Sequence, residues 1–158
     1  MTMSGRTLQV EIRRAAEEDL PAILALYAQP GMDDGNVLSL QEGRRIFARM
    51  KNYPNYRIYA AEAEGSIVGT FALLVMDNLA HLGAPSGILE NVMVHPDLHG
   101  RGIGAKMVRF AMGRCREANC YKLTLSSNVK RTEAHRFYEK LGFKRHGYSF
   151  VIELPHER

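Results

Sequence analysis

Three glycines, spaced two residues apart, stand where an apolar run of the sequence gives way to a helical one. Gly100, Gly102 and Gly104 lie in HPDLHGRGIGAKMVR, residues 95–109. Glycine leaves the backbone bare and adopts positive φ at little cost, so the N–H groups of such a turn can approach a ligand closely. At a helix start about four N–H groups lack an intrahelical partner, and the helix dipole is positive. The pattern predicts a site for an anion such as a phosphate.

The residues around this loop distinguish between phosphate-bearing ligands. A Walker A loop requires Gly-Lys followed by Ser or Thr, whereas Lys106 stands between Ala105 and Met107, which argues against a nucleoside triphosphate. Gly100, Gly102 and Ala105 formally meet a dinucleotide fingerprint. That fingerprint also requires an acidic residue at the end of the next strand, which here reads LTLSSN. On the loop alone, a tight-packing turn without a ligand stays open as an alternative.

The loop belongs to a chain in which strands and helices alternate. Hydrophobic periodicity predicts the order β α α β β β α β α β, with the last strand in GYSFVIEL. AEGS joins a hairpin, Ser39 and Glu42 form a capping box, and GILENVMV is apolar on both faces, as in a central strand. The strand–helix–strand unit over residues 88–126 predicts a right-handed parallel crossover, with the glycine loop at the carboxyl end of the central strand. The predicted fold class is mixed α/β.

Length and composition are those of one packed domain. The chain has 158 residues, of which 46% are hydrophobic and 24% charged, and we expect a single domain over 1–158 with a flexible N-terminus at 1–7. Since no apolar stretch resembles a membrane span or a signal peptide, we expect a cytoplasmic protein without membrane association. The formal charge of +4 suits an anionic ligand, while the scattered basic residues disfavour nucleic acid.

Two motifs together resemble the GNAT acetyltransferase superfamily. VMVHPDLHGRGIGAKMV resembles its acetyl-coenzyme A loop, in which a Gln or Arg precedes the glycines, here replaced by His99. SSNVKRTEAHRFYEKLGF is similar to the closing segment of the family. The resemblance extends over essentially the whole chain and is weakest at residues 31–55. It implies the acyl-CoA N-acyltransferase fold, a mostly antiparallel central sheet with a splayed parallel strand pair, flanked by helices, and acetyl-CoA as co-substrate without a metal.

The resemblance further implies that the backbone binds most of acetyl-CoA. Loop amides bind the pyrophosphate, and the preceding strand splays from its parallel neighbour so that pantetheine forms hydrogen bonds along it. The cofactor residues implied in this way are Val92, Met93, Val94, His99, Gly100, Arg101, Gly102, Ile103, Gly104 and Asn128. A side-chain contact at His99 is expected to be weaker than that of Gln or Arg, or to depend on protonation. Asn128 stands further from Tyr138 than in the commonest version of the family.

Acetyl transfer to an amine requires a neutral nucleophile, a stabilised oxyanion and a proton for the leaving thiolate. Glu90 is the candidate base, since burial in an apolar strand would raise the pKa of its carboxyl group, although an ion pair or a solvent-facing charge is the alternative. Tyr138 matches the family tyrosine that donates to the coenzyme A sulfur, with core packing as its alternative. His81 and His95, in flanking loops, are alternative bases. A backbone N–H near Val92 or Met93 would stabilise the oxyanion.

The cysteines bear on whether the amine attacks the thioester directly. Cys115 and Cys120 lack the spacing of metal ligands and are interpreted as small packed residues. They are poor nucleophile candidates, which favours direct attack of the amine over a covalent acetyl-enzyme. We therefore predict an N-acetyltransferase that acts on a primary amine.

The identity of the acceptor, a small molecule or a peptide, is the least determined prediction. The family builds its acceptor cleft from segments that here carry little pattern, and Asp33 and Asp34 are interpreted as turn residues beside Gly35. ILENVMV, CYKLTLSS and FYEKLGFKRHGY resemble glucosamine 6-phosphate N-acetyltransferases, an alternative in which a phosphate would meet Arg131, Lys130 or His135. A non-catalytic acyl-CoA binding module is the second alternative. Proteins resembling this family are often homodimers, which makes a homodimer possible here.

Overall fold

The computed structural model describes residues 7–156. These residues form two compact units, divided between Leu125 and Ser126. Residues 1–6 of the predicted flexible N-terminus lie outside the described residues. The single domain stays a prediction.

The first unit contains one five-stranded mixed sheet. Its strands are β1 (Glu11–Arg14), β2 (Tyr56–Ala63), β3 (Ser66–Met76), β4 (Ser86–Val94) and β5 (Lys122–Thr124), adjacent in that order. Neighbouring strands are antiparallel from β1 to β4, whereas β4 and β5 are parallel. The helices are α1 (Leu20–Tyr27), α2 (Leu40–Met50) and α3 (Ile103–Glu117). The predicted α/β fold and the order of these elements are confirmed.

Local sequence explains where these elements begin and turn. The Ser39 Oγ accepts a hydrogen bond from the Glu42 backbone N–H at 3.2 Å, which fixes the start of α2. Glu64 and Gly65 have φ of 50° and 79°, the left-handed pair of a two-residue hairpin turn between β2 and β3. Both features follow from the capping box and the hairpin signal in the sequence.

One face of the sheet packs against α3 to form the core. The Phe71 ring of β3 lies 5.0 Å from the Tyr59 ring and 6.3 Å from the Phe110 ring of α3. Gly69 leaves room for α3, since a Cβ added there would lie 2.8 Å from the Met107 sulfur. Phe71 and Met107 are fully buried. Burying a side chain of this size contributes about 1.5–3 kcal/mol, so this face anchors the helix that follows the glycine loop.

The parallel pairing of β4 with β5 is short. Ser86, Gly87 and Ile88 pair with Lys122–Thr124, where β5 ends, while β4 continues to Val94. At Asn91 the φ is 52°, and the β3–β4 register shifts there, which is a β-bulge. Residues 89–94 of β4 therefore pair with β3 on one side and, among the described residues, with no strand on the other. This is the splayed strand pair that the family resemblance implies.

The second unit contains α4 (Thr132–Lys140). The strand predicted in GYSFVIEL is wrong, because residues 143–156 form neither helix nor strand. Tyr148, Phe150 and Ile152 are 92%, 93% and 80% exposed. Alternation alone does not make a strand, since backbone N–H and C=O groups also need a neighbouring strand. Within residues 126–156 no other strand is present to supply one.

Candidate functional site

The glycine loop has the backbone conformation that its sequence predicts. Gly100 and Gly102 have φ of 76° and 81°, and a Cβ added at either position would meet no heavy atom within 4 Å. Gly102 is the N-cap of α3, and in the described part of the chain no side chain caps this helix start. The first N–H groups of α3, beginning at Ile103, are therefore available to an anion, at the end of the helix where the dipole favours negative charge.

The basic residues near this loop differ in what they contact. Lys106 donates a hydrogen bond from Nζ to the carbonyl of Val10, so this charge is directed to the start of β1. Arg101, within the loop, is exposed. Arg101 can therefore contact an anionic ligand from within the loop, in addition to the helix dipole.

His99 contacts the end of β4. The His95 N–H donates to the Val68 carbonyl of β3 at 2.8 Å. Because a trans peptide points its C=O and N–H in opposite directions, the Val94 carbonyl faces the edge that β5 leaves free. There it lies 3.0 Å from the His99 Nε2 and accepts from the Gln29 Nε2 at 3.1 Å.

These two contacts change what is expected of the Val94 carbonyl and of His99. A carbonyl oxygen has two lone pairs, and two donors occupy those of Val94. Pantetheine at this edge would therefore have to bind backbone groups of β4 other than this oxygen, and the contacts predicted at Val92, Met93 and Val94 stay predictions. The His99 side chain links the loop to the strand, and its predicted contact with acetyl-CoA stays a prediction.

Glu90 lies on the sheet face opposite to the one that packs against α3. Its cross-strand partner is Ala72 of β3, whose own partner is Ile58 of β2, and cross-strand partners share a face. Tyr59 and Phe71, which face α3, each alternate with this row. Two strand spacings separate Ile58 from Glu90 in this row, which is roughly 10 Å.

Two tyrosines border the same face. Burial raises the pKa of Tyr56, and the negative charge of Glu90 on the same face raises it further. Burial also raises the pKa of Tyr27, at the end of α1, to about 12. Both phenols therefore stay protonated at neutral pH and can donate hydrogen bonds.

The prediction that Glu90 is buried is wrong, since its side chain is exposed. It directly precedes the bulge at Asn91, where β5 no longer runs beside β4. A carboxylate at this position has contact with water, so it can pass a proton on to solvent. Its role as a base stays a prediction.

The two alternative bases make local contacts. The His95 Nδ1 accepts a hydrogen bond from the Asp97 N–H at 3.2 Å and caps the short turn that follows β4. The His81 ring stacks on Tyr121, with 4.2 Å between centroids. These contacts give both histidines structural roles.

The second unit contains two predicted site residues. The Asn128 Oδ1 accepts from the Lys130 N–H at 2.9 Å, and its carbonyl lies 2.8 Å from the His135 Nε2, so Asn128 organises the turn before α4. Burial raises the pKa of Tyr138, against the opposing effect of the positive charge of Arg131. The Tyr138 ring lies 5.0 Å from Phe137 and 5.6 Å from Phe143. Its hydroxyl thus stays protonated at neutral pH, while the ring packs as an aromatic cluster.

A cavity of about 270 Å³ lies between α2 and the start of β2. Tyr56 and Ile58, which share the face of Glu90, contribute to its lining, as do Phe47, Met50 and Lys51 at the end of α2. The Lys51 Nζ lies 5.1 Å from the centre of the Phe47 ring. The full lining, which contains no carboxylate, is Arg14, Ala15, Phe47, Met50, Lys51, Tyr56, Arg57 and Ile58.

Sequence reasoning missed two residues of this region. Gln29 lies just beyond α1 and is apparent only when the sheet places Val94 beside it. Tyr56 shares a face of β2 with Ile58, but its position on the face of Glu90 depends on the register of three strands. Local pattern carries neither piece of information.

Two further findings concern the described residues. Within 7–156, no group of three or more His, Cys, Asp or Glu side chains is arranged to hold a metal ion. None of the helices described there has the length and apolar character required to span a bilayer.

Comparison with known proteins assigns this arrangement to a family. Residues 20–143 match the acetyltransferase (GNAT) family. Over 91% of both chains, the sequence is 31% identical to an aminoalkylphosphonate N-acetyltransferase of Salmonella typhimurium. It is 27% identical to a glucosamine 6-phosphate N-acetyltransferase of Trypanosoma brucei brucei, over 93% of this chain and 97% of the relative. A putative acetyltransferase structure from Agrobacterium tumefaciens superposes with a TM-score of 0.86 at 35% identity, over 91% of this chain and 99% of the other.

Proposed function

The chain belongs to the acetyltransferase (GNAT) family, and on that premise we propose that it acetylates a primary amine that also carries a phosphate or phosphonate group. Acetyl-CoA is the co-substrate of this family and supplies the acetyl group as a thioester. The proposal rests on the arrangement of one sheet face. Glu90 lies at one end of a row across β4, β3 and β2, and a cavity lined by basic residues lies at the other end, at Ile58.

The open amides of the glycine loop support binding of acetyl-CoA. A Cβ added at Gly100 or Gly102 would meet no heavy atom within 4 Å, and the N-terminal end of α3 beside them favours an anion. The edge of β4 beyond its pairing with β5 is the proposed contact of the pantetheine arm. Both parts bind through the backbone, so the departure at His99 leaves them intact.

Glu90 is the proposed base for the amine. An alkylamine with a pKa of about 10 is mostly protonated at neutral pH and must lose a proton before it attacks. The exposed carboxylate accepts that proton, directly or through one water, and releases it to solvent. The phenol of Tyr56, on the same face, is the proposed hydrogen-bond donor to the acceptor.

Tyr138 is the proposed proton donor to the departing sulfur. Since burial raises its pKa, the phenol carries its proton throughout the physiological range. A thiol has a pKa of about 8.5, so the thiolate is already a good leaving group and needs only a hydrogen bond. The expected contribution of Tyr138 is therefore moderate.

The acceptor class rests on two supports. The two named relatives act, by their names, on an aminoalkylphosphonate and on glucosamine 6-phosphate, which are both amines that bear an acidic phosphorus group. In this chain, Lys51 contributes a cation to the cavity beside Tyr56. An anionic group held there would leave the amine of a suitably long acceptor on the side of Glu90.

Matched acceptor pairs test this proposal. We would compare kcat/KM for glucosamine 6-phosphate with that for glucosamine, and for 2-aminoethylphosphonate with that for ethanolamine. A preference of about tenfold or more for the acidic member, which corresponds to about 1.4 kcal/mol, is expected. Equal values within both pairs would reject the acidic acceptor but leave the acetyltransferase assignment intact.

A substitution at the cavity locates the preference. Lys51→Met keeps the length of the side chain and removes its charge, so the preference for the acidic acceptor should fall severalfold while kcat with neutral amines is unchanged. Arg49→Met, on the same helix but outside the cavity lining, is the matched control. An equal effect of both substitutions would indicate a general electrostatic field and not a site at Lys51.

A homodimer and a cytoplasmic location stay predictions. The exposed apolar side chains between Tyr148 and Leu154 support self-association, because a contiguous exposed apolar segment is typical of an interface. Analytical ultracentrifugation over a range of protein concentrations measures the association. A species of constant monomer mass would exclude the dimer.

A further inference from the structure

The two cysteines meet at the end of α3. The Cys120 N–H donates to the Cys115 carbonyl at 2.9 Å, and the Asn119 N–H donates to the Arg116 carbonyl at 3.0 Å. Asn119 has φ of 61°. These features define a Schellman motif, in which the side chains at the positions of Cys115 and Cys120 normally touch.

The geometry of this motif is compatible with a disulfide. A backbone hydrogen bond of 2.9 Å between residues 120 and 115 leaves their Cα atoms at most roughly 6.8 Å apart, given standard bond lengths. Disulfides join residues whose Cα atoms lie about 4.4–6.8 Å apart. The raised pKa of the Cys115 thiol, caused by burial and then by Cys120, agrees with two neighbouring thiols.

The surroundings fix the position of Cys115 and leave Cys120 accessible. The Cys115 side chain fills the notch over Gly87, where an added Cβ would lie 2.5 Å from its sulfur and 3.1 Å from Leu123 Cδ1. Cys115 is buried, whereas Cys120 is only half-buried. A reagent in solution can therefore reach Cys120 first.

We propose that Cys115 and Cys120 form a modification site, a dithiol that low-molecular-weight disulfides such as oxidised glutathione convert to an intrachain disulfide. The Cys120 thiolate attacks one sulfur of the reagent, its S–S bond breaks, and one glutathione thiolate leaves. The Cys115 thiolate then attacks the Cys120 sulfur and releases the second glutathione. The two cysteines lose two electrons and two protons, and the reagent is reduced to two thiols.

This site lies beside the splayed strands β4 and β5. Cys115 lies in α3 against β4, and Cys120 precedes β5, whose pairing with β4 spans only three residues. The disulfide therefore fixes the connection between α3 and β5 next to the short stretch in which β4 and β5 pair. Neither cysteine belongs to the residues proposed to bind acetyl-CoA or to act on the amine, so this proposal stands or fails separately from the proposed function.

The test uses the whole protein with oxidised glutathione, followed by thiol titration and mass spectrometry. The sequence contains two cysteines, so both free thiols should disappear and the intact mass should fall by two hydrogens. Trypsin cleaves after Arg116, between the cysteines, and should yield the peptides 115–116 and 117–122 joined by a disulfide. Persistence of both thiols, or disulfide-linked dimers in place of the intrachain bond, would overturn the proposal.

Single variants separate the two steps. Cys115→Ala should retain one glutathione on Cys120 as a stable mixed disulfide, because no second thiol can displace it. Cys120→Ala should react much more slowly, because its remaining thiol is buried. If the unaltered protein accumulates the same glutathione adduct as Cys115→Ala, Cys115 does not resolve it and the site is not a dithiol.

Discussion

The glycine loop and the sheet face that carries Glu90 are two parts of the first unit that offer different groups to a ligand. The loop at Gly100 and Gly102 offers backbone N–H groups, whose positions follow from two positive φ angles and a helix start. The Glu90 face offers side chains from α1, β2 and β4, whose positions follow from strand register. A backbone site is encoded by a short motif, whereas a side-chain site is encoded by the whole sheet.

This difference has a consequence for specificity. A loop of this kind can bind an anion in proteins of different sequence, because its backbone N–H contacts depend little on side-chain identity. The face can change its acceptor by exchange of residues such as Tyr27, Tyr56 or Lys51 without any change to the loop. Substitutions at the loop should therefore alter cofactor binding, and substitutions at the face should alter turnover or acceptor choice.

The largest effect is expected at the loop. Gly102→Asp places a carboxylate beside the proposed pyrophosphate site and should weaken acetyl-CoA binding by on the order of 100-fold, or about 2.7 kcal/mol. Titration calorimetry measures the dissociation constant. An added Cβ at Gly102 meets no protein atom within 4 Å, so a steric clash within the protein is not the cause of the loss, although the φ of 81° makes a control for backbone strain necessary.

Gly102→Asn is the matched control for this substitution. Asn has nearly the shape of Asp without its charge, and it tolerates the positive φ of Gly102 better than most residues. We expect a much smaller loss of affinity than for Gly102→Asp. Equal losses would mean that backbone strain or bulk, and not the charge, is responsible, and unchanged affinity in both would reject the loop as the cofactor site.

The next effect is expected on the face. Glu90→Gln removes the proposed base but keeps the shape of the side chain, so kcat should fall about 100-fold with little change in acetyl-CoA affinity. The control is Glu64→Gln, at the exposed hairpin turn. Steady-state kinetics at saturating acetyl-CoA measure the change. A variant with the kcat of the unaltered protein would leave the base to another group.

The contrast between loop and face also explains what the sequence could predict. Gly100, Gly102 and the helix after them are local features, so their conformation could be anticipated from spacing alone. The position of Tyr56 on the face of Glu90 could not, because a shift of one residue in register would move either side chain to the other face. The burial of Glu90 was misjudged for a related reason, since apolar neighbours in a strand do not reveal that β5 ends early.

The terminal segment also shows that a strand depends on a neighbouring strand to pair with. GYSFVIEL alternates as a strand does, but its pattern contains no information on which strand would pair with it. In the second unit it remains without secondary structure, and its apolar side chains are exposed. Periodicity predicts which residues share a face, whereas pairing depends on residues distant in sequence.

A smaller effect on turnover is expected at Tyr138. Tyr138→Phe keeps the aromatic cluster with Phe137 and Phe143 and removes only the hydroxyl, so kcat should fall about tenfold when chemistry limits turnover. Phe137→Leu serves as a packing control and should alter thermal stability more than the chemical step. An unchanged single-turnover rate for Tyr138→Phe would remove this residue from the mechanism.

The smallest effect on activity is expected at Asp19, away from both regions. The Asp19 carboxylate accepts from Arg13 at 2.6 and 2.9 Å and from the Ala16 N–H at 2.7 Å, and the Arg13 guanidinium holds its pKa below the usual range. Asp19→Asn should lower the free energy of unfolding by about 2 kcal/mol at pH 7, less than for a fully buried pair because Arg13 is 34% exposed. The value of kcat at 25 °C should not change.

The pH dependence of this loss has a definite sign. The folded-state pKa of Asp19 lies below its unfolded value of about 3.9, so its stabilisation is present above that value and is lost as the pH falls through the folded pKa. Denaturant titrations should show a gap between the unaltered protein and Asp19→Asn that shrinks at acidic pH. Glu62→Gln, which removes the more exposed partner of Arg13, should cost less. A gap that stays constant down to acidic pH would contradict the ion pair as its cause.

The measurement that tests the central claim most directly is product analysis with isotopically labelled acetyl-CoA. The protein is incubated with acetyl-CoA that carries the label in its acetyl group and with glucosamine 6-phosphate, 2-aminoethylphosphonate and their neutral counterparts. We expect an N-acetylated amine that contains the label, formed in equal amount to free coenzyme A and strongly reduced by Glu90→Gln. Release of coenzyme A at the hydrolysis background, with no labelled amine from any acceptor, would contradict amine acetylation at this face.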